Sequence, residues 1–384
     1  MIQRLLESKL IMLAQKFPVI TVTGPRQSGK TTLVRKSFPD KKYISLEDLD
    51  NRSFAQQDPR GFLKSYENAI IDEAQKVPEL FSYIQTKVDE DNIPGQYILT
   101  GSQNFLLFEK ISQSLAGRVA ILKLLPFSYE ELASSFGKQD YEYYIFNGLY
   151  PRIYDRDISP EDFYPSYLQT YIERDVRMVE NIRDLSKFQL FLKLCAGRVG
   201  QLLNISSLAN EAGISRTTAT GWLSILEASY IIFLLKPHHK NFNKRIVKMP
   251  KLYFYDTGLA SYLLGIRSVE QLKTHYSKGA LFESFIISEL VKKMYNRGKE
   301  SPYYFWRDKI GNEIDILIED GVRLIPVEIQ SGRTVNNTYF KGLKYWSKIS
   351  ESEEKGILLF GGENQQEREK FRVIPWNKMD KLQL

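Results

Sequence analysis

The segment GPRQSGKT, Gly24 to Thr31, follows the apolar run PVITVTG (18–24) and precedes a helix-compatible stretch. It matches GxxxxGKS/T in full, and that pattern leaves the chain little freedom: the loop must leave a buried strand, curl on its own amides and enter a helix. Gly24 and Gly29 allow successive N–H groups to turn toward phosphate oxygens, and the helix beginning near Lys30 presents the positive end of its dipole. Lys30 then supplies a mobile cation for the β- and γ-phosphates, while the Thr31 hydroxyl is placed to ligate Mg²⁺. Pro25, Arg26, Gln27 and Ser28 complete the cradle, with Thr32 directly after it.

Four further β-rich runs follow: KYISLE (42–47), NAIIDE (68–73), QYILTGS (96–102) and VAILKLL (119–125). Five near-continuous apolar strands separated by helix-length segments predict a parallel sheet covered on both faces, an α/β fold. IIDE ends its strand in two acids: Asp72 can hold Mg²⁺ through its water shell, and Glu73 is placed to orient or deprotonate an attacking water. A helix N-cap is the plain structural use of Asp72. QYILTGS ends in a polar cluster, Thr100, Ser102, Gln103 and Asn104, in which Ser102 is the candidate for sensing the terminal phosphate; such residues also make ordinary turns. Arg118, just before the fifth strand, is a candidate arginine finger reaching a neighbouring subunit, with a surface arginine as the alternative. TKVD (86–89) resembles a guanine-reading element but falls within the helical pattern Leu80, Ile84, Val88, which argues against guanine specificity.

A chain of 384 residues is expected to form two or three domains, and 43% hydrophobic with 26% charged residues is ordinary globular composition. The longest apolar run, Tyr230 to Leu235, is far too short to span a bilayer, and the amino terminus lacks the apolar stretch of a signal peptide, so a cytoplasmic location is expected. The single cysteine, Cys195, rules out an internal disulfide and any multi-cysteine metal site, and reads as a small buried hydrophobe. A net charge of +7 permits nucleic-acid binding without requiring it.

Three regions are expected: 1–130, holding the phosphate loop; 131–265, a helical connector and a winged helix-turn-helix; and 266–384, a second α/β unit. In the middle region a helix (SSLANEAG), a turn at Gly213, a second helix (SRTTATGWLSILEAS) and two strand-like runs (YIIFLLKP, KLYFYDTG) give the winged-helix layout. Ser215, Arg216, Thr217 and Thr218 open the second helix and would face a nucleic-acid groove. Arg216, Lys236, Lys240, Lys244, Arg245, Lys248 and Lys251 would contact its backbone, which makes DNA a candidate partner. Winged helices also bind proteins, and charge runs are usually solvated faces. His238 and His239 have no nearby acid or cysteine to complete a metal site.

The P-loop GPRQSGKTT, the acidic pair in IIDEAQ, the strand end ILTGS and LAGR together resemble the AAA+-related ATPases of bacteria and archaea. Beyond them, YIERDV, NISSLANEAGIS, KLYFYDTGLA, LFESFIISEL and FWRDKIGNEIDILIE resemble the DUF4143 region that follows such domains. The resemblance implies ATP and Mg²⁺ as ligands, a strand added between the phosphate-loop and acidic-pair strands, and Glu73 as the catalytic glutamate. In the last region Glu283, Asp315 and Glu328-Ile329-Gln330 resemble the metal-binding core of restriction-endonuclease-like folds, with Gln330 where that pattern carries lysine. Asp315 and Glu328 are spaced to hold a second metal across a hairpin turn, but a neutral amide at Gln330 cannot offset the charge of an attacked phosphate. The expectation is a nucleotide-driven switch that hydrolyses ATP and acts on DNA, in which association between copies is open. The alternatives are an ATP-gated nuclease and a nucleotide-dependent protein-interaction module.

Overall fold

The computed structural model describes residues 2–102, 115–172, 184–239, 247–350, 354–368 and 370–382. The first unit runs α1 (Glu7–Ala14), β1 (Val19–Thr23), α2 (Lys30–Ser37), β2 (Lys42–Ser45), α3 (Leu49–Gln57), α4 (Pro59–Ser65), β3 (Ala69–Asp72), α5 (Leu80–Asp91), β4 (Tyr97–Gly101) and β5 (Val119–Lys123). Its five strands are all parallel, in the order β2-β3-β4-β1-β5, so β4 lies between the phosphate-loop strand and the acidic-pair strand, as the family likeness implies.

Successive side chains alternate across this sheet. Ile20, Val22, Ile70, Ile98 and Leu122 pack under α1 and α2, while Val19, Ile71, Leu99 and Tyr97 pack against α4 and α5. Because both faces are covered, β1, β3 and β4 are buried along their whole lengths, which is why they read as unbroken apolar runs. Thr86 to Asp89 lies inside α5, away from any strand end.

Helices follow: α6 (Tyr129–Phe136), α7 (Tyr141–Asn147), α8 (Pro151–Asp155), α9 (Pro160–Tyr167), α10 (Leu185–Ala196), α11 (Ile205–Ala212) and α12 (Arg216–Ala228). Between α11 and α12, Gly213 takes a left-handed conformation (φ 64°), and Asn204 and Ser215 cap the two helices through their side chains. After α12, β6 (Ile232–Leu235) pairs antiparallel with β7 (Lys251–Phe254). The chain leaving β6 does not stand clear of the body. Lys236 O accepts from Phe305 N, His238 N donates to Phe305 O, and Val247 N donates to Arg307 O, so the described residues next to the two strands are bonded to the last sheet.

The last part holds α13 (Thr257–Leu263), α14 (Val269–Thr274), α15 (Lys278–Asn296), β8 (Tyr303–Arg307), β9 (Glu313–Asp320), β10 (Arg323–Gln330), α16 (Lys341–Ser350), β11 (Gly356–Phe360), β12 (Gln366–Glu367) and β13 (Phe371–Pro375). Its mixed sheet has the order β12-β13-β11-β10-β9-β8. One face, with Ile316, Val327 and Leu359, joins the helical region in a single continuous core; the other, with Trp306, Leu317 and Leu358, is closed by Leu343 and Trp346 of α16. Asp256 ties the middle of the chain together: it caps α13, accepts from Leu149 N at 2.7 Å and accepts from the Tyr164 hydroxyl at 2.6 Å. Cys195 is buried in this core. No helix among the described residues is long and apolar enough to cross a membrane.

Candidate functional site

The phosphate loop leaves β1 at Gly24, whose φ of +150° and contact with the Leu124 carbonyl leave no room for a β-carbon. Gln27 (φ 61°) and Gly29 (φ 90°) complete the curl, and Gly29 is the N-cap of α2. Lys30 is buried, and its ammonium donates to Gly24 O at 3.0 Å and Pro25 O at 2.8 Å. Ser28 Oγ and Gln27 Oε1 are buried without a hydrogen-bond partner, polar atoms turned inward in the loop itself. Arg26 approaches Glu47 at 3.9 Å.

One strand, β3, brings both acids to this loop, and β4 brings a hydroxyl partner to each of them. Asp72, at the end of β3, accepts from Thr31 Oγ1 at 3.1 Å, from Tyr43 Oη at 2.6 Å and from Thr100 Oγ1. Burial, with the Asp72 carboxylate second, pushes the Tyr43 phenol well above its ordinary value and keeps it a donor. Glu73 adopts a left-handed conformation (φ 53°) that few residues with a β-carbon take, and accepts from Ser102 Oγ at 3.1 Å and from Gln75 Nε2. Ser102 thus sits on Glu73 because β4 lies between β3 and β1. Gln103 and Asn104 lie outside the described residues. The Thr31 and Asp72 oxygens, side by side, form a donor set that suits a hard cation completed by phosphate oxygens and water.

Arg118 lies at the opposite end of the sheet. The register pairs Val19 with Val119 and Thr23 with Lys123, so the arginine is about 15 Å or more from its own phosphate loop. Its guanidinium is paired with Asp89, at 2.8 Å for Nη2 to Oδ2.

Arg4 carries no periodicity signal, and sequence reasoning passes over it. Its buried guanidinium donates to Ser28 O at 2.7 Å, Leu125 O at 2.7 Å and Glu131 Oε1 at 3.1 Å, and lies over the Phe127 ring. Glu131 is itself saturated by Leu5 N and by the capping box with Ser128. The ion pair therefore supports the loop from beneath. Beside it Ile2, Gly29, Thr32, Leu33, Phe127 and Pro151 line a cavity at the start of α2.

Away from this site, the exposed start of α12 carries Ser215, Arg216 and Thr217, with Thr218 half-buried and donating its N–H to Ser215 Oγ at 3.0 Å. Lys236 and Lys248 are exposed. Lys240, Lys244 and Arg245 lie outside the described residues.

Lys251 corrects the sequence reading, which placed it among the basic groups available to a nucleic-acid backbone. It is 3% exposed, and its ammonium lies 3.2 Å from Glu283 Oε1 and 4.0 Å from Asp315 Oδ1 and contacts Glu313 Oε1. Burial opposes the charge, but Glu283, Asp315 and Glu313 outweigh it and hold the lysine protonated. Its strand, KLYF, is otherwise wholly apolar and buried, and a lysine there needs an acid partner; that was the available signal. Glu328 and Gln330 share a face of β10 two residues apart. Burial and Glu283 push Asp315 up to about 7, and burial and Asp315 push Glu328 well above the usual carboxylate range. Among the described residues no group of three or more His, Cys, Asp or Glu side chains is arranged to hold a metal ion.

Comparison with known proteins places a match to the AAA domain at residues 16–133, to a domain of unknown function (DUF8612) at 138–270 and to a second (DUF4143) at 278–379. The chain is 32% identical over 324 residues to an uncharacterized protein of Mycobacterium tuberculosis, covering 83% of this chain and 71% of that one. A second uncharacterized protein, from Haemophilus influenzae, is 22% identical over 309 residues, covering 72% and 74%. Among solved structures, the Walker-type ATPase of Pyrococcus abyssi is similar at 15% identity with a TM-score of 0.42, covering 67% of this chain and 94% of that one.

Proposed function

We propose, for a chain that belongs to the family joining an amino-terminal AAA domain to a DUF4143 region, that its AAA-type ATPase domain binds ATP with Mg²⁺ on residues 24–32 and hydrolyses it. Turnover then acts as a switch on how the middle and last regions, 131–265 and 266–384, hold DNA. The observation that carries the reading is the convergence of Thr31 from the first turn of α2, Asp72 and Glu73 from the end of β3, and Ser102 from the end of β4 beside the phosphate loop.

Phosphate oxygens accept from the loop amides and from the Lys30 ammonium, which exchanges its bonds to Gly24 O and Pro25 O for the β- and γ-phosphates. Thr31 and, through water, Asp72 would hold Mg²⁺, which would supply positive charge to the phosphates. Glu73 turns from Ser102 to take the proton of a water whose oxygen bonds to the γ-phosphorus as the β–γ bridge breaks, leaving ADP and phosphate. Ser102, released, orients that water. The base lies against Ile2, Leu33, Phe127 and Pro151, which offer an apolar slot next to the loop. Arg118, remote from its own loop, serves the nucleotide of a second copy once it leaves Asp89.

DNA contact rests on the exposed start of α12, where Ser215, Arg216 and Thr217 stand together in the position a recognition helix offers to a groove. ATP turnover with and without DNA, in wild type, Lys30→Ala and Glu73→Gln, tests the reading. Wild-type turnover lost in Lys30→Ala supports it, and equal turnover in all three forms refutes it. Failure to shift DNA or RNA at low salt would assign α12 to a protein partner instead.

A further inference from the structure

Two of the three carboxylates that resemble a nuclease metal centre, Glu283 and Asp315, face an ammonium. Lys251 Nζ is within 3.2 Å of Glu283 and 4.0 Å of Asp315 and contacts Glu313. From this we infer that the cluster is built around Lys251 in place of a divalent metal ion, and that the resulting ion-pair network fastens strand β7 to the last sheet.

Three observations support it. First, a divalent ion of the size of Mg²⁺ needs its oxygens at about 2.1 Å around one point, and that point is taken by a side chain that cannot leave. Lys251 is buried on a strand bonded to Leu235 on one side and bridged to Leu202 on the other, and its ammonium lies against the Phe305 ring, so withdrawing it means moving β7. Second, the acids are already committed to protein donors. Glu283 accepts from Tyr253 Oη at 2.5 Å, Glu313 from Arg307 Nη1 at 2.7 Å, and Asp315 from Ile329 N at 2.8 Å. Third, among the described residues no group of three or more His, Cys, Asp or Glu side chains has metal-holding geometry.

The likeness to restriction-endonuclease-like folds thus extends to the residue types and stops at the ligand. A cation is supplied from β7 instead, between Glu283 and Asp315. Such a fixed ammonium binds the middle region to the last one electrostatically, and removing one partner of a buried pair leaves an uncompensated charge.

The test titrates Mn²⁺ into the full chain without nucleotide, reading bound ion by electron paramagnetic resonance and thermal midpoint by circular dichroism. Any ion held near Thr31 and Asp72 is common to wild type and Asp315→Asn, so the difference between the two reports the cluster alone. Wild type and Asp315→Asn should bind the same number of ions, with the same midpoint shift on adding Mn²⁺. Lys251→Gln should bind one ion more per chain, and Lys251→Gln with Asp315→Asn should lose it. Wild type holding one ion more than Asp315→Asn overturns the inference, and this comparison stands even if Lys251→Gln does not fold. A folded Lys251→Gln that gains no ion also overturns it, because the ammonium would then not be what excludes the metal. ATP turnover is not read here, so either result leaves the proposed ATPase standing.

Discussion

The hydroxyl of Tyr230, just past the second helix of the helix-turn-helix, lies 2.9 Å from Oγ1 of Thr23, the last residue before the phosphate loop. Both are buried, and Thr23 Oγ1 also donates to Leu122 O at 3.3 Å. Tyr230 takes φ 57° in the left-handed position that ends α12, where the next amide, Ile231 N, donates back to Leu226 O. The strand that leads into the phosphate loop and the residue that follows α12 therefore share a hydrogen bond.

If that bond couples the two units, Thr23→Val and Tyr230→Phe should each lower stability by about 1 kcal/mol, and the double variant should lose little more than either one. Urea denaturation of the four forms measures the coupling. Strictly additive losses would show that the two hydroxyls act independently.

Gly24→Ala should fail to bind ATP. The added β-carbon overlaps the Leu124 carbonyl and φ lies where side chains are strained, at a cost of about 1–3 kcal/mol before any repacking. Equilibrium binding of a fluorescent ATP analogue checks this, and wild-type affinity would contradict the loop geometry.

Glu73→Gln should keep ATP binding and lose about 10²–10⁴ in turnover, the range over which a positioned base contributes. Single-turnover phosphate release separates this chemical step from product release. A variant that instead loses affinity with turnover intact would move Glu73 out of the base role.

Arg4→Met should destabilise the chain by about 3–5 kcal/mol, because Glu131 stays buried without its cation. Adding Glu131→Gln should recover part of that loss. Since Ser28 O loses its donor in both, ATP affinity should stay weakened even where stability returns. Thermal melts read alongside nucleotide titrations distinguish the two effects.

Much of this protein is legible one segment at a time. GPRQSGKT, the strand-ending acids of IIDE and the helix caps at Asn204 and Ser215 depend on spacings of a few residues, so the β1–loop–α2 unit and the helix-turn-helix can be read before any packing is known. Alternation along apolar runs likewise predicts buried strands. The placement of the last sheet against the hairpin segment was not legible, since main-chain bonds such as that of His238 N to Phe305 O leave no mark on composition.

By itself the sequence marked the candidate groups for the chemistry: the glycines, lysine and threonine of the loop, and the paired acids. Only the tertiary structure decided their partners. Tyr43 reaches Asp72, Arg4 reaches Ser28, Tyr230 reaches Thr23 and Lys251 reaches Glu283, pairs whose members lie between 24 and 207 positions apart. The reason is physical: a buried polar group must be satisfied, which can be seen from its apolar neighbours, but which group satisfies it depends on what the packed core brings within hydrogen-bond distance.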